Sequence, residues 1–350
     1  MNQLLNFVIE PFLNKKFRTL TFFITNRCDS KCKHCFYWKN LGKGEELSLD
    51  KTNRISKSME NFHFLSLSGG EPFLREDIPE LCHVFYTQNK VRDISIPTNS
   101  MQPEKILELT KKILAKCPEA KVSLNISLDG LEDMHDKTRG VKGAFKKTIQ
   151  NIKNLSELKE TNSNLILNIS TVISNVNIGE LEKLINFVKN NVKVDNHSFE
   201  ILRGSPKDTG FRPINAPQFK KLKKLMIANN YFYFKNKGSL KAWYLKKRLN
   251  YFFDQQYRVL NNQNWEIPCL AGKVMAVIEP NGEVKPCELL DSIGNLKDFD
   301  YDFKKLLKSK KSKKMKQWIK KTECSCTHCV ALNSSISHNP SAVFIKALLK

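Results

Sequence analysis

The stretch TLTFFITNRCDSKCKHC (residues 19–35) is a β-rich run that ends in polar residues and then in three cysteines, Cys28, Cys32 and Cys35, spaced C-x3-C-x2-C. Working outward, a helical pattern capped by Ser48 follows, and then a second β-rich run, HFLSLSGGEP (residues 63–72). The alternation continues through VRDISIPTNS (residues 91–100), KVSLNISLDG (121–130), LILNISTVISN (165–175) and NHSFEILRG (196–204), each preceded by a helix-period segment. Strand followed by helix, six times over, predicts an α/β fold with a parallel sheet and right-handed crossovers. Six units fall short of an eight-fold barrel, so the expectation is a partial (β/α)6 barrel over residues 19–205. Its chemically distinctive residues sit where strands end, which is where ligands gather in parallel α/β folds.

The chain changes character after Pro206. Residues 206–263 read as an aromatic, lysine-rich helical bridge, and residues 264–335 as a small cysteine-rich module, leaving residues 1–18 as an N-terminal segment and 336–350 as a tail. The module should open with a hairpin, apolar VMAVI and EVKPC around a Pro-Asn-Gly turn. The amphipathic ends, NFVIEPFLNKKF (residues 6–17) and AVFIKALLK (342–350), read as packing segments.

At 350 residues the chain can bury one large core plus an appendage. No apolar run is long enough to span a bilayer, and the first residues lack the continuous apolar region of a signal peptide, so a cytoplasmic location is expected. Ten cysteines in such a chain argue for metal or redox chemistry over disulfides. Cys82 and Cys117 fall on helical patterns and read as buried apolar residues. The formal charge of +23 and the run KSKKSKKMKQWIKK (residues 308–321) read as a solvated lysine face, because Trp318 is its one aromatic and arginine is absent. Charge alone therefore assigns neither nucleic acid nor membrane as a partner.

Three thiolates leave one position of a metal or cluster free for a substrate or cofactor, which favours iron–sulfur over zinc; His34 as a fourth zinc ligand would be strained beside Cys35. At the second strand end, Gly69 and Gly70 allow close backbone approach and Glu71 can receive an ammonium group. The two motifs, one βα unit apart, together resemble the radical S-adenosylmethionine (SAM) enzymes from about residue 19 to residue 204. The resemblance implies that Cys28, Cys32 and Cys35 hold a 4Fe-4S cluster whose open iron binds SAM. It also implies that Ser127 of SLDG and Arg139 of HDKTRG meet the methionine carboxylate, with Asp129 on the ribose side and Asn99 in the third-strand motif. Ser100 stands where that motif usually has glycine. Turn and cap chemistry is the plainer reading of Asp129 and Asp136, and a surface ion pair that of Arg139.

Five further cysteines close the chain. Cys269, Cys287 and the CSCTHC segment with Cys324, Cys326 and Cys329 resemble the SPASM/twitch extension of the same superfamily, whose complete form has seven cysteines for two clusters. Five imply one auxiliary 4Fe-4S cluster, held by Cys269, Cys287, Cys326 and Cys329 with Cys324 as the alternative ligand; zinc is the rival occupant.

The activity implied is reductive cleavage of SAM to methionine and a 5'-deoxyadenosyl radical, which abstracts hydrogen from a small molecule or peptide. The auxiliary cluster would then take up an electron in a net oxidation or bond formation. An electron donor such as flavodoxin or ferredoxin is implied as partner. Arg203, at the sixth strand end with Lys207 and Asp208 beyond it, is the candidate substrate contact for a carboxylate or phosphate. Eighteen residues before the first strand are too few for a leader-binding domain, which weighs against a peptide maturase. The alternatives are a nucleic-acid-modifying radical enzyme and a non-catalytic iron–sulfur or zinc scaffold on anionic surfaces.

Overall fold

The computed structural model describes residues 17–235 and 238–339, so both amphipathic end segments lie outside the described residues except for Phe17. Strands β1 (Thr19–Thr25), β2 (Phe64–Gly69), β3 (Asp93–Thr98), β4 (Lys121–Ser127), β5 (Leu165–Ile173) and β6 (Asn196–Ile201) pair in parallel, each with the next. Helices α1 (Leu49–Lys57), α2 (Ile78–Gln88), α3 (Pro103–Lys116), α4 (Glu132–Arg139), α5 (Ala144–Glu160) and α6 (Leu181–Asn191) make the crossovers. Local chemistry starts them where the pattern indicated: Ser48 accepts a hydrogen bond from Lys51 N at the start of α1, and prolines occupy the first turns of α2 and α3.

Beyond β6, the expected helical bridge forms α7 (Ala216–Phe234) and α8 (Ser239–Leu260), which pack on each other, α7 also on β6. The expected hairpin is present as β7 (Met275–Ile278) and β8 (Glu283–Lys285), with Gly282 at φ +89° in the turn. Then come β9 (Gly294–Asn295), α9 (Phe303–Leu307), α10 (Lys310–Lys321) and α11 (Cys329–Ser337).

What the periodicity did not reveal is where the hairpin goes. β7 lies parallel beside β1, in register from Thr19 opposite Met275 to Phe22 opposite Ile278, so one open nine-stranded sheet runs β6-β5-β4-β3-β2-β1-β7-β8-β9. Every residue of β1 and β7 is buried, because each has strands on both sides and cover on both faces.

The outer strands alternate instead. In β4 and β5, Val122, Leu124, Ile126, Leu165, Leu167 and Ile169 are buried in the main core. The intervening Ser123, Asn125, Ser127, Asn168 and Ser170 are half-buried on the other face. Asn125 donates to Ser95 Oγ at 2.7 Å and accepts from Asn168 at 3.3 Å; Ile166 and Val172 share this face, and Lys121, Asp195, Glu200 and Arg248 line the cavity over Ser123 and Asn168.

Candidate active site

A cavity of about 370 Å³ opens at the carboxyl ends of the strands, and the thiols of Cys28, Cys32 and Cys35 line one side of it. All ten cysteines are free, and Cys82 and Cys117 are buried. Gly69, Gly70, Glu71 and Asn99 line the same cavity, as do Ser127, Arg139 and Arg203. Asp129 lies behind that surface, fully buried.

The cysteine loop is held in place by the two segments that carry the other motifs. Gly70 N donates to Thr25 O at 2.9 Å and Glu71 N to Arg27 O at 2.8 Å. A Cβ on Gly70 would sit 2.1 Å from Arg27 O, and one on Gly69, at φ +125°, 2.2 Å from Thr25 O. The glycines are therefore required by the approach of the cysteine loop's own backbone. From the other side, Lys31 N donates to Arg139 O at 3.1 Å and Lys33 N to Thr138 O at 2.9 Å, at the end of α4.

Burial and pairing set the charges. The Glu71 carboxylate accepts from Asn99 N at 2.7 Å and Phe73 N at 3.2 Å, yet desolvation pushes its pKa up to about 7. Asn99 Nδ2 donates to Asp29 Oδ1 at 2.7 Å and lies 3.7 Å from Cys28 Sγ. Ser100 takes φ +67°, the left-handed conformation glycine would favour, and its hydroxyl accepts from Asn151.

Asp129 accepts from Val172 N at 2.9 Å and meets Arg139 Nη2 at 2.7 Å. That guanidinium holds the Asp129 pKa low against the opposing effect of burial, which is larger in itself than any single attraction. Arg139 Nη1 lies 3.7 Å from Cys32 Sγ, while its buried Nε has no hydrogen-bond partner among the described residues. His34 points its Nε2 at Asp129 Oδ2, 3.7 Å away, and burial lowers its pKa to about 4. It is thus turned toward a carboxylate, away from the role of a fourth metal ligand. Burial raises the Cys32 and Cys35 thiols and pushes Cys28 up to about 12, as expected of buried thiols with little compensating positive charge.

Arg203 is engaged on two sides: Nη1 meets Glu200 at 2.5 Å, and Nε and Nη2 reach Glu288 Oε2 at 3.2 and 2.7 Å. Its face also lies over the Phe36 ring. His328 Nε2 is 3.2 Å from the same Glu288 oxygen. Glu200, Glu288 and His328 escaped the sequence reading; the position of the last two directly beside Cys287 and Cys329 was the available signal.

The five C-terminal cysteines gather around one apolar cluster that contains Ile319 and Cys287. Cys269 donates a hydrogen bond to Cys324, which pulls Cys324 down to about 7 and pushes Cys269 up. Burial pushes Cys287 up to about 12 and Cys326 to about 11. Cys329, in the first turn of α11, faces Gln256 Nε2 at 3.8 Å. The structure thus brings all five together and sets Cys324 directly against Cys269. Among the described residues no three His, Cys, Asp or Glu side chains converge on the point a single ion would occupy. The donor set is thiol-rich on both sides of the Arg203 ion pairs, which suits iron–sulfur clusters.

Two family models match the chain: the radical SAM superfamily over residues 22–188, and an iron–sulfur cluster-binding domain, SPASM, over residues 269–330. The Fe-coproporphyrin III synthase of Methanosarcina barkeri is 33% identical over 138 residues, which are 38% of this chain and 33% of that protein. The antilisterial bacteriocin subtilosin biosynthesis protein AlbA of Bacillus subtilis is 24% identical over 290 residues, 81% of this chain and 58% of that protein. The chain thus spans a third and under two thirds of these curated relatives. Among solved structures, anSMEcpe with bound AdoMet superposes with a TM-score of 0.61 at 16% identity, over 95% of this chain and 96% of that one. Streptococcus suis SuiB bound to its precursor peptide SuiA gives 0.58 at 17% identity, over 84% and 65%. At such identities the solved structures establish a shared fold.

Proposed function

We propose, from the radical SAM match over residues 22–188 and the SPASM match over residues 269–330, that this enzyme modifies a peptide by hydrogen abstraction followed by oxidation. The 4Fe-4S cluster and SAM, when bound, supply reductive cleavage of the sulfonium and a 5'-deoxyadenosyl radical that takes a hydrogen atom from the substrate. The chain's own residues hold, orient and shield.

Cys28, Cys32 and Cys35, which line the cavity, would hold the cluster. Glu71 receives the methionine ammonium: a buried carboxyl with a pKa near 7 ionises readily once a cation arrives beside it. Ser127 and Arg139 take the methionine carboxylate, and the unpartnered, buried Arg139 Nε supports this role, since such a donor gains most from a new acceptor. Asp129 keeps Arg139 charged and aimed, and Asn99 braces the Cys28 loop through Asp29. Cys269, Cys287, Cys326 and Cys329, with Cys324 as the alternative, would hold an auxiliary cluster, which would supply an electron acceptor for substrate oxidation. Arg203, at the cavity wall, contacts substrate from within its pair of carboxylates.

The substrate class is a peptide, whose main-chain amides the half-buried serines and asparagines of β4 and β5 can meet. The names of AlbA and of SkfB, a sporulation killing factor maturation protein of Bacillus subtilis, and the SuiB complex with a precursor peptide, support the same class. The observation that carries the reading is the single cavity shared by the three thiols, Glu71 and Arg139.

The test is 5'-deoxyadenosine formation by anaerobically reconstituted, dithionite-reduced protein. Wild type should hold about eight irons and produce 5'-deoxyadenosine. The Cys28/Cys32/Cys35 triple alanine variant should hold about four and produce none. A wild type that cleaves no SAM would refute the reading.

A further inference from the structure

Helix α10 is built against ordinary helix chemistry. Residues 308–321 contain eight lysines and no acidic residue. Lys310, Lys311 and Lys313 crowd the first turn, where the helix dipole disfavours cations, and no carboxylate sits there to offset them. Lys310 with Lys314, and Lys316 with Lys320, repel at the i,i+4 spacing. Elsewhere in the chain lysines find partners, as Lys112 does with Glu108, Lys285 with Glu279 and Lys304 with Glu60. Among the described residues, Lys316 alone of the α10 lysines is engaged, turned inward to Leu307 O at 3.0 Å. Lys308, Lys310, Lys311, Lys313, Lys314, Lys320 and Lys321 are exposed, with no ion-pair partner among the described residues. Trp318 stands among them, 49% exposed.

The inner face of the same helix is a wall of the auxiliary site. Ile319 is buried in the apolar cluster that includes Cys287, and Cys269, Cys324 and Cys326 pack against that cluster. Cys324 N donates to Ile319 O at 3.2 Å. A redox group seated on the lysine face would therefore be separated from these thiols by roughly one helix diameter, about 10–12 Å.

Resting on the radical-enzyme reading, we infer that the lysine face of α10, with Trp318 as anchor, docks an acidic one-electron carrier of the flavodoxin or ferredoxin kind. The docked carrier would lose one electron to the centre held by the cysteines beneath, which would relay it to the centre held by Cys28, Cys32 and Cys35, where SAM cleavage consumes it. Dense uncompensated charge gives such a surface fast, salt-sensitive association, and a central exposed tryptophan gives it a contact of fixed position. Lysine without arginine offers point charges to a carboxylate-rich protein and none of the flat forks that read phosphate or bases.

The probe is flavodoxin, and the first readout is its dissociation constant with the full-length reconstituted protein at low and high salt. Wild type should bind more weakly as salt rises. Lys310→Glu/Lys313→Glu/Lys314→Glu and, separately, Lys320→Glu/Lys321→Glu should bind about tenfold more weakly or worse at low salt. SAM cleavage driven by reduced flavodoxin should fall in parallel, while dithionite-driven cleavage stays at the wild-type rate. Unchanged flavodoxin affinity in both variants overturns the inference. So does an equal loss of the dithionite-driven rate, or a loss of sedimentation with phosphatidylglycerol vesicles while flavodoxin binding is untouched. Absence of dithionite-driven cleavage in wild type would instead refute the radical-enzyme reading itself, so the two failures are distinguishable.

Discussion

Gly70 leaves no room for a methyl group, because the nearest neighbours are backbone atoms of Arg27, which cannot swing aside as a side chain would. Gly70→Ala should therefore displace the loop that carries Cys28 and cost about 2–3 kcal/mol, with iron retention falling alongside. Gly179→Ala, where nothing lies within 4 Å, is the control and should be near neutral in the same denaturation experiment. Asp129→Asn tests a different cause. It strips the charge from the buried partner of Arg139 and should cost about 3–5 kcal/mol, as breaking a buried ion pair does. A loss under 1 kcal/mol in denaturant unfolding would show that Arg139 is compensated elsewhere. Ser100 illustrates a local rule overridden: a non-glycine residue at φ +67° is tolerated because Asn151 and Thr98 hold its hydroxyl and backbone N.

At the scale of elements, the joint between barrel and cysteine module is what distinguishes this chain's construction. Arg203 at the end of β6 sits between Glu200 of the barrel and Glu288 of the module. Arg203→Met keeps the aliphatic bulk but leaves two carboxylates facing each other, so the ordinarily depressed Glu288 pKa should rise and the fold should lose about 3–5 kcal/mol. Thermal unfolding of the full chain checks this; an unchanged midpoint would mean that the pair contributes specificity alone. The second joint is β7 against β1. A chain ended at residue 263 would leave one edge of β1 unpaired and its buried residues open to water, and should aggregate instead of yielding a minimal barrel. Soluble, cooperatively folding protein from such a chain would contradict that.

For the molecule as a whole, buried histidines set the response to acid. Burial lowers His34 and His135 to about 4 and His197 to about 3, from the usual 6.5. Between pH 6.5 and those values the unfolded chain binds protons that the folded chain refuses, so stability falls as pH drops through this window. Glu71 acts with the opposite sign: raised to about 7 from 4.5, it binds its proton more tightly when folded, so its contribution is greatest below pH 4.5 and is lost as pH rises toward 7. Burial lowers His338 as well, so the lowered histidines outnumber Glu71 and the chain takes up protons on unfolding between pH 4.5 and 6.5. His197→Gln should reduce that slope by about one, read from denaturant midpoints across the range; an unaltered slope would place the proton elsewhere. Below that window the depressed Asp129 and Glu288 add further loss as they protonate.

Six strands, their order and the loops that bear chemistry were written in local pattern, because β-rich runs, caps and helix periods depend on neighbours in the chain. The cysteine spacing and GGEP were equally local, so the cluster site and its family could be read from residues 19–72 and 121–140 alone. Tertiary structure decided what depends on residues far apart in sequence. It alone brought Met275 beside Thr19, which no period encodes, since pairing partners of a strand are set by the packing of the whole sheet. Only the assembled fold showed that Gly69 and Gly70 yield to the cysteine loop's backbone, that His34 turns to Asp129, and that Arg203 lies between two carboxylates. It also gathered Cys324 with Cys269, 55 positions away. Burial determines which of these groups carries charge, and burial exists only once the chain has closed around them.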